Sequence, residues 1–280
     1  MTLHNAAPML TGIDWAGQRM ALETQWLNVP AADAERPLLV FLHEGLGSLA
    51  MWKDFPQQVC AAARCRGLVV SRPGYGQSTP LPENSRWASD FLDRQALEVL
   101  PAVFSALGVD PELHPVVLIG HSDGASIALI YAAASGHHVA GVVAVAPHCF
   151  VEDLTVRRIA ALQSPAIAGG LLARLERYHH APKPVFEAWS NIWLDRDFRA
   201  WSIIDRMQHI RCPVLAVQGL DDEYGSMEQI RSIGRSLPKA RLLELASCGH
   251  SPHRDQPQAL VAAICDFLNQ NEGELQWLFP

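Results

Sequence analysis

The sequence of 280 residues lacks the features that mark several large classes of protein. No cluster of basic residues is present, and 22 Lys and Arg stand against 29 Asp and Glu for a net charge of −7. The basic stripe that binds nucleic acid is therefore missing. No apolar run reaches the roughly 18 residues that cross a bilayer. The sequence thus predicts neither a nucleic-acid partner nor a membrane partner.

Two further absences concern the cellular compartment and cofactors. The first ten residues contain no Lys or Arg and no apolar stretch long enough for a secretory signal. The six cysteines, at positions 60, 65, 149, 212, 248 and 265, form no C-x-x-C pair, which favours reduced thiols over a disulfide framework or a zinc site. We expect a cytoplasmic protein, and the sequence implies no metal or organic cofactor. A homodimer is also expected, because homodimers are common among soluble proteins.

Short, continuous apolar runs are what the sequence does contain. Hydrophobic residues make up 49% of the chain and charged residues 18%, which predicts a buried core rather than disorder. The apolar runs cover residues 37–44, 66–73, 114–122, 139–147, 213–222 and 240–247, and residues 18–30 are predicted to form a further strand or hairpin arm. Helical patterns cover 52–63, 87–107, 123–134, 229–237 and 256–269. Alternating strands and helices predict an α/β fold with a mostly parallel, doubly wound sheet.

One segment breaks this alternation. From 148 to 211 the sequence shows helical patterns without a convincing strand, and its aromatic residues include Trp189 and Trp193. About sixty residues is long for a single crossover between parallel strands, which needs about a dozen. We therefore predict a core formed by residues 1–147 and 212–280, with 148–211 as an inserted helical lid. Ordinary crossover helices are the alternative.

Residues 120–124 carry the sharpest motif, Gly-His-Ser-Asp-Gly. The pattern G-x-S-x-G follows an apolar strand, VVLI, and precedes a helical stretch rich in small residues, ASIALIYAAA. A serine on such a strand–turn–helix elbow projects its hydroxyl from the end of the sheet, next to the N-terminus of a helix. Ser122 is therefore predicted to be a nucleophile. A helix cap is its alternative role.

A serine nucleophile needs a base, and the base needs an acid that fixes its tautomer. In this kind of fold the chain order is serine, acid, histidine. The two late strands supply both groups, because one ends in Leu-Asp-Asp at 220–222 and the other in Cys-Gly-His at 248–250. His250 is the predicted base, and Asp221 and Asp222 are both candidates for the acid.

Together, GHSDG, the late GLDD and the stretch CGHSPHRDQP resemble the α/β-hydrolase superfamily. The resemblance covers about residues 37–270 and is nearest to the lid-bearing branch of esterases, lactonases and carbon–carbon bond hydrolases. That branch often carries its acid three residues after a glycine, which from Gly219 implies Asp222 rather than Asp221. Its catalytic histidine follows a glycine soon after the last strand, which matches His250.

Acyl chemistry also needs donors for the oxyanion, and two backbone N–H groups usually supply them. The resemblance implies the N–H of Asp123, directly after the serine, and a second N–H from the loop 43–48. This loop departs from the family pattern because Glu44 stands where glycine is usual, so that Gly45 falls at the donor position. The Glu44 side chain is then either structural, paired with Arg72 or a lid cation, or a contact to the substrate.

The remaining candidate substrate contacts lie at or near the lid. They are Glu44, His148, Glu152, Trp189 and Trp193. The tryptophans either pack the lid or form an apolar pocket wall for an acyl group. Residues 151–211 carry nine Lys and Arg against seven Asp and Glu, which favours solvated helix faces, with an anionic substrate as the alternative.

The predicted function is a serine hydrolase that cleaves a carboxylic ester, thioester or lactone of a small, largely apolar substrate through an acyl-enzyme. Two alternatives stay open. The same residues serve a carbon–carbon bond hydrolase that acts on a ring-fission product, a vinylogous diketone. A non-catalytic ligand-binding relative of the hydrolases is the alternative from another class.

Overall fold

The structure is a computed structural model, and it describes residues 6–29, 32–33, 36–134 and 139–271. Eight strands form one sheet in the order β1-β2-β4-β3-β5-β6-β7-β8. The strands are β1 (Met9–Trp15), β2 (Gln18–Leu27), β3 (Leu38–Leu42), β4 (Gly67–Val70), β5 (Val116–His121), β6 (Gly141–Val145), β7 (Val214–Gly219) and β8 (Arg241–Leu245). β1 and β2 pair antiparallel, and β3 to β8 form the parallel part. The predicted α/β architecture is confirmed, but β1, an edge strand with exposed Met9 and Leu10, was not predicted.

Helices connect the parallel strands and cover both faces of the sheet. They are α1 (Phe55–Ala63), α2 (Phe91–Arg94), α3 (Leu100–Leu107), α4 (Asp123–Ala133), α5 (Asp153–Leu162), α6 (Pro165–Leu175), α7 (Pro182–Leu194), α8 (Ile204–Met207), α9 (Glu228–Ser236), α10 (Pro252–Asp255) and α11 (Pro257–Gln270). A π-helical stretch, Gln95–Val99, joins α2 to α3. The helical stripe at 87–107 in the sequence thus corresponds to one continuous helical rod.

Strand β3 shows why the apolar runs are continuous. Leu38, Val40 and Leu42 belong to one hydrophobic cluster, and Leu39 and Phe41 belong to another on the opposite face. Helices α1 and α11 bury the second face, and α2 to α4 pack on the first. Because both faces are covered, every position along the strand is apolar rather than every second one.

The segment between β6 and β7 is wholly described, and it contains α5 to α8 with a single isolated bridge between Phe150 and Ser202. His179 ties this segment to the loops at the sheet's end. Its Nδ1 accepts from the backbone N–H of Gly76 at 3.0 Å, and its Nε2 lies 2.9 Å from the carbonyl of Leu46. Since a carbonyl only accepts, Nε2 carries the proton and the ring is neutral. Among the described helices, none is both long and apolar enough to cross a membrane.

Candidate active site

Ser122 lies on the turn between β5 and α4. Its backbone has φ 53° and ψ −118°, a region that non-glycine residues seldom adopt. The N–H of Ser122 donates to the carbonyl of Val145 at 2.9 Å, which fixes the turn against β6. The strained conformation presents the hydroxyl at the carboxyl end of the sheet, where open α/β sheets bind ligands.

The two glycines of the motif are there because the backbone passes too closely for a side chain. A Cβ at Gly120 would lie 2.2 Å from the carbonyl oxygen of Gly124, and a Cβ at Gly124 would lie 2.0 Å from that of Leu42. Both distances are far below van der Waals contact. The glycines therefore permit β5, α4 and β3 to meet at the elbow.

Three distant side chains meet at this elbow. The Oγ of Ser122 lies 2.9 Å from Nε2 of His250, and Nδ1 of His250 lies 2.9 Å from both carboxylate oxygens of Asp222. A carboxylate only accepts, so we assign the proton of the neutral ring to Nδ1. Nε2 then carries the lone pair that accepts from the serine hydroxyl. The arrangement is that of a nucleophile, a base and an orienting acid.

Both oxygens of the Asp222 carboxylate also accept hydrogen bonds from groups other than His250. Oδ1 accepts from the backbone N–H groups of Tyr224 and Gly225 at 2.8 and 3.1 Å, and Oδ2 accepts from Nε2 of Gln218 at 2.8 Å. Its neighbour Asp221 is exposed and only its backbone is tied, to the carbonyl of Cys248. Of the two candidate acids, the structure brings Asp222 to His250.

Electrostatics keep this pair poised for proton transfer. Burial disfavours charge on both groups, but their mutual hydrogen bond and opposite charges outweigh it. The pKa of His250 therefore lies above the ordinary 6.5, and the pKa of Asp222 lies below the ordinary 3.8. A second histidine, His148, lies with its ring centroid 5.6 Å from that of His250, and burial lowers its pKa to about 3. His148 is thus neutral where His250 titrates.

The peptide between Glu44 and Gly45 is locked in one orientation. The carbonyl of Glu44 accepts from the N–H of Gly47 at 3.0 Å, from Nδ1 of His43 at 2.7 Å and from a guanidinium N–H of Arg72 at 2.9 Å. Because a trans peptide is planar, its N–H points away from its carbonyl. The N–H of Gly45, a residue of the cavity wall, therefore points away from these three donors.

The other predicted donor, Asp123, is the first residue of α4. The N–H groups of a first helical turn have no partner within the helix, and they concentrate its positive dipole. The side chain of Asp123 is buried and faces Arg72, with 3.4 Å between Oδ2 and Nη2. Burial raises the pKa of Asp123, and the guanidinium opposes that shift. Arg72 thus braces both residues predicted to supply the oxyanion donors.

A cavity of about 150 Å³ adjoins the serine. It is lined by Glu44, Gly45, Leu46, His121, Ser122, Asp123, His148, Ile159, Trp189, Trp193, Tyr224, His250 and Ser251. Like Gly120 and Gly124, Gly45 leaves no room for a side chain, since a Cβ there would lie 2.0 Å from Nε1 of Trp189. The cavity therefore combines the reacting groups with an apolar wall, to which α7 contributes Trp189 and Trp193.

Among the predicted substrate contacts, Glu44, His148, Trp189 and Trp193 line this cavity and Glu152 does not. The carboxylate of Glu152 accepts from the N–H and hydroxyl of Ser226 and from Nε2 of Gln229. Those three hydrogen bonds make Glu152 a brace between the start of α5 and the start of α9. The structure gives no support to the predicted substrate contact of Glu152.

Sequence reasoning missed two residues of the site. Gln218 is buried in β7 and bonds both Asp222 and the carbonyl of Gly225. Its signal was available, because it is the one polar residue in the run VLAVQG. Tyr224 lines the cavity with its ring centroid 4.9 Å from that of His250. Nothing local in the sequence distinguishes this tyrosine from a loop residue.

Comparisons with known proteins identify the family of the chain. The model of the alpha/beta hydrolase family matches residues 39–264, so the chain belongs to that family. It is 27% identical over 257 residues to a pimeloyl-[acyl-carrier protein] methyl ester esterase of Aromatoleum aromaticum, covering 83% of this chain and 98% of that protein. The family and the fold predicted from the sequence are therefore confirmed, and with them the broad class of hydrolase.

Solved structures show the same fold at low identity. An enol-lactonase from Burkholderia xenovorans superposes with a TM-score of 0.70 at 18% identity, covering 89% of this chain and 97% of that one. A thermophilic esterase from Thermogutta terrifontis superposes with a TM-score of 0.69 at 19% identity, covering 95% and 99%. Within the described residues, no group of His, Cys, Asp and Glu is arranged to hold a metal ion.

Proposed function

We propose that the protein hydrolyses a small carboxylic ester, thioester or lactone through an acyl-enzyme on Ser122. One observation carries the proposal: the unbroken chain from the Ser122 hydroxyl through His250 to Asp222, with 2.9 Å at each link. The related methyl ester esterase supports ester hydrolysis as the type of reaction.

In the proposed acylation, Oγ of Ser122 attacks the substrate carbonyl carbon while Nε2 of His250 takes the hydroxyl proton. The resulting oxyanion accepts from the N–H groups of Gly45 and Asp123. Loss of one such donor costs a factor of about 10² to 10³ in rate. His250 then gives its proton to the leaving oxygen or sulfur, and the carbon–leaving group bond breaks.

In the proposed deacylation, His250 takes a proton from a water molecule, whose oxygen attacks the acyl carbon. The same two N–H groups stabilise the second oxyanion, and the proton returns to Oγ of Ser122 as the acid leaves. Asp222 holds the ring in one tautomer and stabilises the imidazolium in both halves of the cycle. No step requires a further cofactor.

The cavity restricts the acyl group. A volume of about 150 Å³ matches the size of engineered cavities that bind benzene. Leu46, Ile159 and the two tryptophans make most of the wall apolar. We infer a short, largely apolar acyl group, with the predicted lid, residues 148–211, acting as the cap that limits its length.

A fluorophosphonate probe tests the proposal. The probe should label Ser122 stoichiometrically, as seen by intact mass and peptide mapping, because only an activated serine attacks phosphorus at a useful rate. Ser122→Ala should abolish labelling, and the matched variant Ser105→Ala, which alters an exposed serine of α3, should leave it intact. An unlabelled wild-type protein would favour the non-catalytic binder.

A substrate panel then separates the two hydrolytic reactions. Nitrophenyl esters, thioesters, lactones and ring-fission diketones should be assayed side by side with wild type and Ser122→Ala. We expect ester, thioester or lactone cleavage to exceed diketone cleavage in kcat/KM. Turnover confined to the diketones would replace ester hydrolysis with carbon–carbon bond hydrolysis.

A further inference from the structure

Glu44 brings an unexpected carboxylate into the wall of the reaction cavity. Its side chain keeps 17% of its surface exposed, and Glu44 is one of the residues that line the cavity. It also fits closely against the loop, because a Cβ at Gly47 would lie 2.4 Å from Oε2. The carboxylate is thus fixed in the same small space as Ser122 and His250.

Two basic side chains, His121 and Arg254, lie near the carboxylate of Glu44 at distances that leave it only partly neutralised. Nε2 of His121 lies 2.6 Å from the carbonyl oxygen of His250, so this nitrogen carries a proton and donates. Nδ1 of His121 faces Oε2 of Glu44 at 3.4 Å. This separation is long for a charge-assisted hydrogen bond, which usually spans about 2.7–2.9 Å, so His121 offsets the charge only in part. The other partner, Arg254, is 3.9 Å away and half exposed to solvent.

The pKa of Glu44 indicates that its carboxylate is charged. Burial opposes its charge, but the proximity of His121 outweighs burial, with smaller contributions from His253 and His43. The pKa of Glu44 is therefore held well below its ordinary 4.5. The carboxylate is ionised wherever a serine hydrolase of this kind works.

The rest of the described wall contains no permanently charged cation. Among the described residues that line the cavity, none is Lys or Arg, and the other acid, Asp123, faces Arg72. Two cations of the helical segment, Arg199 and Arg206, pair with Asp153 and Asp93 outside the cavity. The aromatic rings of the wall favour a cation or a neutral group over an anion.

From this arrangement we propose that Glu44 sets the charge preference of the acyl site: among short acyl groups with an otherwise apolar chain, it favours those that carry an ammonium or another hydrogen-bond donor and disfavours those that carry a carboxylate. The inference rests on the proposed ester hydrolysis and names its substrate class. The anionic substrate that the extra positive charge of the helical segment left as an alternative is therefore disfavoured. Like charges in a space of low polarity repel strongly, and a substrate donor would instead be attracted to the carboxylate.

The test compares three 4-nitrophenyl esters of similar size: the butanoate, the 3-aminopropanoate and the hydrogen succinate. The kcat/KM ratio of the aminopropanoate to the succinate isolates the charge preference, and rates with Ser122→Ala correct for spontaneous hydrolysis. We expect a ratio of about 100 or more for the wild type, and a drop of at least about 10-fold in the isosteric Glu44→Gln variant. Asp221→Asn is the matched control, since it removes an exposed acid outside the cavity, and it should leave the ratio unchanged.

A second variant should move the ratio in the opposite direction. Arg254→Gln removes the cation that partly offsets Glu44, so the ratio should rise above that of the wild type. Equal ratios in wild type, Glu44→Gln and Arg254→Gln would overturn the proposal even if Glu44→Gln were poorly folded. If butanoate is cleaved while the ratio is unaffected, the charge preference fails and ester hydrolysis stands. If no ester is cleaved and the fluorophosphonate does not react, ester hydrolysis itself fails.

Discussion

The two sides of the cavity are built in different ways. On the sheet edge, which carries Ser122, Asp222 and His250, the reacting atoms are fixed by hydrogen bonds to backbone and side chains. On the helical segment, residues 148–211, Trp189 and Trp193 are buried in apolar contacts, and the indole N–H of Trp189 has no partner in the part of the chain that the structure describes. The difference suggests that the sheet edge supplies the chemistry and the helical segment supplies the shape.

The largest effect should come from breaking the polar order of the sheet edge. Asp222→Asn keeps the shape but replaces an acceptor with a group that can hold the wrong tautomer of His250. We expect kcat to fall by about 10⁴-fold with little change in thermal stability. Asp221→Asn should stay within about 3-fold of wild type, because its side chain is outside the chain of hydrogen bonds. The reverse pattern would move the acid to Asp221.

Close packing distinguishes the same two regions. Gly124→Ala places a Cβ 2.0 Å from the Leu42 carbonyl, so we expect the free energy of unfolding to fall by about 1–3 kcal/mol. Gly169→Ala in α6 meets nothing within 4 Å, and the better helix former should raise it by up to about 1 kcal/mol. Chemical denaturation measures both. Equal losses would show that the helical segment is as tightly constrained as the elbow.

Enlarging the cavity should change which acyl chain lengths are accepted more than it changes the rate of the reaction itself. Trp189→Leu opens the side of the cavity that faces Gly45, so longer acyl chains should fit. We expect the kcat/KM ratio of octanoate to butanoate esters to rise by about 10-fold. Trp201→Leu, which changes a ring of the same segment that does not line the cavity, should leave the ratio unchanged. A loss of kcat for every chain length would instead give Trp189 a part in the chemistry.

The pH dependence of kcat/KM should show the smallest effect, but it distinguishes His250 from the nearby His148 as the titrating base. His250 must be neutral to act as base, and its pKa is raised, so kcat/KM should fall as the pH drops through a value above 6.5. His148 has its pKa lowered to about 3 and adds no second step in that range. We therefore expect a single ionisation on the acid limb, shifted to lower pH in Asp222→Asn. A midpoint below 6.5 in the wild type would contradict the assignment.

The sequence predicted what local patterns encode. The elbow at Ser122 and the position of His250 depend on a strand, a turn and a nearby glycine, all of which are contiguous in the chain. The hydrogen bonds of Glu152 could not be foreseen, because its partners, Ser226 and Gln229, lie more than seventy residues away. Tyr224 was missed for the same reason, since only the folded chain brings its ring to His250. Strand β1 was not predicted, because it lies at the edge of the sheet and only some of its residues are buried. Its hydrophobic pattern is therefore weaker than that of the central strands.

The account's central claim is that an ester passes through a covalent intermediate on one hydroxyl. Wild-type protein should be mixed with excess 4-nitrophenyl butanoate, quenched in acid within milliseconds and digested for peptide mass mapping. We predict a butanoyl group, about 70 Da, on the peptide that contains Ser122 and on no other. Full turnover with no acylated peptide at any quench time, or acylation at another residue that persists in Ser122→Ala, would contradict it.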